Sequence, residues 1–99
     1  MKRALSVLAG LAAALPLAAA AQTPNGRDLA AACAICHGTE GRAQPNMAVL
    51  AGVQKEQLAK LLVEFRDGRR PGTIMPKLAK GYTDAQIDAV SAFFAAQKK

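Results

Sequence analysis

The sequence predicts an all-α protein of about three main helices. Three stretches repeat apolar residues at helical spacing, and two stretches between them are rich in glycine and proline. No run alternates apolar and polar residues as a half-buried strand does.

The first 21 of the 99 residues differ from the rest. Lys2 and Arg3 give a positive start, Ala4 to Leu17 is almost wholly apolar, and Ala19, Ala20 and Ala21 supply small residues, the layout of a secretory signal peptide. A membrane anchor is the competing reading. Against it, the apolar stretch is Ala-rich, interrupted by Pro16 and short for a span of about 20 residues. Residues 1–21 are therefore read as a signal peptide that leaves no stable membrane insertion, and residues 22–99 as one exported, periplasmic domain.

The first helix is predicted over Gly26 to Ile35, where Leu29, Ala30, Ala32 and Cys33 recur at helical spacing. Asn25 is its N-cap and Asp28 lies in the first turn, where the helix dipole favours negative charge. Gly38, Gly41, Pro45 and Gly52 then break the chain into a loop. From Gln54 to Arg66 the residues Leu58, Leu61, Leu62 and Phe65 form one apolar face opposite Lys55, Glu56, Lys60 and Glu64. Glu56 and Lys60 are spaced to pair, and Gly68 stands where a helix-ending glycine belongs. Gly68, Pro71, Gly72, Pro76 and Gly81 make the next stretch irregular, with Met75 near its middle. The last helix starts at Thr83, whose T-x-x-Q pattern with Gln86 is a capping box, and Ile87, Val90, Phe93 and Phe94 form its buried stripe.

Charge excludes one class of function. The whole chain carries +6; without Lys2 and Arg3 its thirteen basic residues become eleven against seven acidic, leaving +4. The only aromatic residues are Phe65, Tyr82, Phe93 and Phe94, and no basic cluster interleaves with them, so nucleic-acid binding is not expected. A domain of this size also rarely builds a self-sufficient core from its own side chains.

The residues that carry chemistry are Cys33-Ala34-Ile35-Cys36-His37, a C-x-x-C-H pattern of the kind that attaches haem c. Two cysteines three apart on a helical turn reach the vinyl groups along one porphyrin edge, and the next residue presents an imidazole to the iron. A redox dithiol belongs near a strand–helix–strand pattern, and a structural zinc site needs four ligands. The chain shows no such pattern, and His37 is its only histidine beside two cysteines. One covalent haem would also centre the core, each Leu or Phe packed on it contributing about 1.5–3 kcal/mol.

Without a second histidine, the sixth iron position falls to a methionine, lysine, tyrosine, terminal amine or water, or stays open. Met75 is preferred: it precedes Pro76, which disfavours helical backbone at Met75 and points to an extended loop, and a full helix separates it from His37. Met47, ten residues past His37, reads as a core filler. His–Met ligation leaves no open position and favours electron transfer over catalysis, so the chain is not expected to be an enzyme itself. A peroxidase would need an open iron position and a distal acid or base, and a disulfide-bonded binding module would be colourless. The carbonyl of Pro45 is the expected acceptor for the other ring nitrogen of His37. Lys77, Lys80, Arg69 and Arg70 either ring an exposed haem edge or are solvated surface charge.

These residues resemble the class I cytochromes c over nearly the whole mature chain. Cys33-Ala-Ile-Cys-His37-Gly38, Leu50-Ala-Gly52, Phe65-Arg-Asp-Gly68-Arg69, Thr73-Ile-Met75 and Ala79-Lys-Gly-Tyr-Thr-Asp84 are similar to the cytochrome subunit of sulfide-oxidising flavocytochrome c, and to one half of the tandem dihaem cytochromes. The resemblance implies a compact class I cytochrome c fold around one covalent haem, with His37 and Met75 axial. It further implies a flavoprotein partner where sulfide is oxidised, electrons passing from it through this chain to an acceptor. Set against the dihaem pattern, a single C-x-x-C-H implies no internal haem-to-haem transfer.

Overall fold

Asn25 opens the first helix as its position predicts: its side-chain oxygen accepts a hydrogen bond from the Asp28 amide at 3.2 Å. The computed structural model describes residues 24–99, so the expected signal peptide and its boundary lie outside the described residues. Five α-helices follow among them, with no strand: α1 Gly26–Ala30, α2 Ala34–His37, α3 Lys55–Arg66, α4 Met75–Ala79 and α5 Asp84–Ala95, with a 3₁₀ turn at Thr39–Gly41. The all-α expectation holds.

The single helix expected over Gly26 to Ile35 is divided into α1 and α2. At the junction the amides of Ala31 and Cys33 bond back only three residues, to Asp28 at 3.3 Å and Ala30 at 2.9 Å. The Cys36 amide does the same to Cys33 at 3.2 Å. Tightening of this kind brings residues three apart into line, so the two thiols fall on one edge of the turn.

Helices α1 and α5 cross in direct contact, and α3 packs on both α5 and α4. The crossing depends on Gly26, where a Cβ would run into the Ala89 carbonyl and lie 3.1 Å from Phe93 Cβ. Beside it the Arg27 guanidinium covers the Phe93 ring, 5.3 Å from its centroid.

Helix α3 ends at Gly68, whose φ of 79° lets the chain turn away. The Gly68 amide bonds Phe65 at 3.2 Å and the Arg69 amide bonds Glu64 at 2.9 Å, capping the free carbonyls of the last turn. Lys55 pairs with Asp88 on α5 at 2.8 Å instead of supporting α3 alone.

Met75 is not in the extended loop that Pro76 led us to expect. It begins the one-turn helix α4, whose Lys77 and Leu78 amides bond the Ile74 carbonyl at 2.9 and 3.1 Å. Proline is compatible with a first turn because its missing N–H has no partner to lose there, and this outweighs its bias against helical backbone at the preceding residue. Helix α5 begins with both bonds of the capping box, Thr83 N–H to Gln86 Oε1 at 2.9 Å and Gln86 N–H to Thr83 Oγ1 at 3.1 Å.

The core is thin. Ala30, Leu58, Val90 and Phe94 are buried together, while Leu29, Cys33, Leu50, Val53, Leu62 and Phe93 pack on them only half-buried. Ile87, Val90 and Phe94 of the expected α5 stripe are buried, and so is Ser91, whose hydroxyl has no hydrogen-bond partner. Leu61, Leu62 and Phe65 of α3 keep part of their surface open. The apolar side chains outnumber what they enclose.

Candidate functional site

That open surface is a cavity of about 290 Å³ between the α1–α2 junction, α3, α4 and α5. Ala32, Cys33, Ile35 and Cys36 form one wall. The turn of α4 and the chain just ahead of α5 add Met75, Leu78 and Tyr82, and α3 and α5 add Leu62, Val90 and Phe94. Three of the four expected site residues therefore line one apolar space. His37 is not among its lining residues; it is buried at the end of the same turn of α2.

Both thiols are free. Cys36 is exposed, whereas partial burial pushes the Cys33 thiol above its ordinary value of 9.0 by disfavouring the thiolate. Burial also raises Tyr82 above its ordinary 10.0, with a smaller push from Cys33, which marks the phenol as a neighbour of that thiol. The sequence marks Tyr82 as an aromatic residue and, being the only tyrosine, as one of several possible iron ligands; nothing about its spacing from Cys33 signals that they meet.

The imidazole of His37 is oriented by a hydrogen bond of 2.8 Å between Nδ1 and the carbonyl of Ala48, not of Pro45. A carbonyl only accepts, so Nδ1 carries the proton, and Nε2 of the neutral ring is left with its lone pair. The correction has a physical reason. A turn closed by the Met47 amide on the Gln44 carbonyl at 3.0 Å turns Pro45 outward, and the chain returns as Leu50 and Ala51 bond the Gly41 carbonyl at 2.8 and 3.0 Å. Ala48 lies on the returning strand of chain. Any residue's carbonyl serves in this role, so the sequence carries no mark of it. Met47 is 39% exposed and outside the cavity, so it is not the core filler its position suggests.

Gly38 and Gly41 hold this loop tightly against the helices. With φ of 86°, Gly38 lies so near Ala43 that a Cβ would sit 2.7 Å from its carbonyl oxygen. At Gly41, φ 79°, a Cβ would meet the Phe94 ring at 2.8 Å and Leu50 Cβ at 2.9 Å. On the opposite side, Arg69 pairs with Asp67 at 3.3 Å, and Arg70 pairs with Glu64 at 3.2 Å while covering the Phe65 ring. Lys77 and Lys80 are exposed beside Met75 and form none of the ion pairs among the described residues.

The donor set and the space fit a flat apolar macrocycle. Two free thiols and a thioether line the same cavity, and one imidazole beside it has its Nδ1 nitrogen fixed. Ile35, 81% exposed, and Leu78, more than half exposed, present apolar surface that such a group would cover. Among the described residues no three His, Cys, Asp or Glu side chains cluster to hold a bare metal ion, so a metal here must bring most of its own ligands.

Comparison with known proteins agrees with this geometry. Residues 21–94 match the family model described as cytochrome c oxidase, cbb3-type, subunit III. The chain is 33% identical to the cytochrome subunit of sulfide dehydrogenase from Chlorobaculum tepidum, over 83% of this chain and 74% of that protein. It is 37% identical to cytochrome c4 of Pseudomonas aeruginosa, over 92% of this chain and 43% of that one. It is 35% identical to a thiosulfate dehydrogenase electron acceptor of Thiomonas intermedia, over 99% of this chain and 45% of that one. The chain thus spans less than half the length of the last two. A solved structure of cytochrome c4 from Acidithiobacillus ferrooxidans superposes with a TM-score of 0.64 at 34% identity, covering 66% of this chain and 38% of that one.

Proposed function

The chain belongs to the cytochrome c family, and from that premise we propose that it carries one haem c, attached through Cys33 and Cys36 and ligated by His37 and Met75. Membership makes it an electron-transfer protein. The observation that carries the rest is the shared cavity, which both free thiols and Met75 line. When bound, the haem supplies a one-electron iron couple. Cys33 and Cys36 fix its edge as thioethers. His37, with Nδ1–H held by Ala48, would offer Nε2 to the iron, and Met75 would offer its thioether sulfur. Leu62, Val90 and Phe94 would keep water from the ring, and no carboxylate, lysine or histidine lies among the cavity residues.

We assign residues 1–21 to a cleaved signal peptide and residues 22–99 to a periplasmic domain. No described helix is long and apolar enough to cross a membrane. The electron donor we propose is a flavin-dependent sulfide dehydrogenase. The support is the Chlorobaculum subunit, which this chain spans for 74% of its length. The two thiosulfate dehydrogenase acceptors among the relatives favour a second reading, a diffusible carrier for other donors. Gentle isolation of the native protein, with mass spectrometry of its companions, separates the two. A stoichiometric flavoprotein is the expected result; a lone red species of about the chain's 10.3 kDa, less its signal peptide, contradicts it.

A further inference from the structure

Between Gly38 and Asn46, five residues have positive φ: Gly38 at 86°, Glu40 at 54°, Gly41 at 79°, Ala43 at 89° and Asn46 at 67°. Glycine takes such angles without steric cost and asparagine tolerates them; alanine does neither. Ala43 also has the largest φ of the three non-glycine residues.

Ala43 is in direct contact with the candidate ligand. Its amide donates to the His37 carbonyl at 2.6 Å, and its backbone lies hard against Gly38. Five residues later the Ala48 carbonyl accepts the His37 Nδ1 proton at 2.8 Å. The segment from Ala43 to Ala48 thus holds His37 twice, by its backbone and by its ring, and a single turn at Gln44–Met47 joins the two contacts.

We propose that Ala43 is a positioning residue for His37: the strain of its left-handed backbone works against the clamp, so the side chain at 43 sets the strength of the Nδ1–H to Ala48 bond. The inference rests on the haem reading above. A stronger bond leaves more negative charge on the imidazole, which favours the oxidised state of a ligated iron and lowers the reduction potential. Relieving the strain therefore lowers the potential, and adding to it raises the potential.

The test uses holoprotein with glycine, alanine or valine at position 43, titrated spectroelectrochemically alongside thermal melts. Ala43→Gly is expected to shift the oxidised-to-reduced ratio at fixed potential roughly threefold toward oxidised, about 28 mV at ~59 mV per tenfold for one electron. Ala43→Val is expected to shift it the other way. If the valine variant does not fold, the glycine variant decides alone, because glycine's added freedom in the unfolded chain bears on stability and not on potential. Loaded protein whose melting point moves while its potential stays fixed overturns the inference and leaves the haem reading intact. A chain that matures colourless, with unmodified mass, overturns both.

Discussion

The two segments flanking the cavity are held in opposite ways. On the His37 side, residues 38–52 include six positive φ angles and fold back under dense bonding: Ala43 to His37, Leu50 and Ala51 to Gly41, and Gly52 to Phe94 at 2.9 Å. On the Met75 side, no amide between Arg70 and Lys77 donates one of the loop backbone hydrogen bonds, and the chain is held by the single turn of α4 and its packing on α3. One proposed ligand is clamped and the other begins a short helix. The difference teaches that the His37 side is fixed by the protein alone, whereas the Met75 side depends on what fills the cavity.

The largest test of that contrast removes each ligand in turn. His37→Ala deletes an anchored side chain and is expected to abolish stable holoprotein, measured by haem content and circular dichroism. Met75→Ala is expected to keep the covalent haem and the helices. It should lose the Met-to-ferric-haem charge-transfer band and lower the potential by on the order of 0.1 V, within the roughly 0.8 V that axial ligands command. Equal damage from both would erase the contrast.

Paired glycine substitutions sharpen it. Gly41→Ala puts a Cβ into Phe94 and Leu50 at a positive φ, and should cost about 2–5 kcal/mol in denaturant melts. Gly68→Ala, at the same φ but with open space around it, should cost only about 1–2 kcal/mol. A smaller effect is expected at the exit of the Met75 side: Thr83→Ala removes one bond of the capping box, at about 1 kcal/mol.

The smallest concerns pH. Burial raises Tyr82 above 10.0, so the folded chain keeps the phenol protonated where the unfolded chain ionises it. This contribution is fully present below pH 10 and declines as pH rises from there through the folded value, and phenolate absorbance of the folded protein should rise at higher pH than that of the unfolded chain.

What the sequence made legible follows the same division. Asn25, Thr83 with Gln86, and Gly68 announce helix ends through side chains or a glycine whose chemistry is local, and the α3 and α5 stripes follow from spacing. Cys33, Cys36 and Met75 stand out in the sequence as candidates because their chemistry is rare, and the structure brings all three to one cavity. The break at Ala31–Cys33 was not legible, since alanines and cysteine carry no breaker signal. Nor was helix α4, whose first turn accommodates Pro76 despite the bias it places on Met75. Ala48 was hidden because a backbone carbonyl has no signature, and Pro45 attracted the assignment only by being distinctive.

The central claim is that Cys33 and Cys36 hold one haem. Intact-mass and peptide-mass analysis of the protein, produced with haem-maturation machinery, tests it most directly. The account predicts one haem added, located on the peptide that contains Cys33 through His37, with no free thiol left. A haem-free chain with Cys33 and Cys36 joined as a disulfide would contradict it.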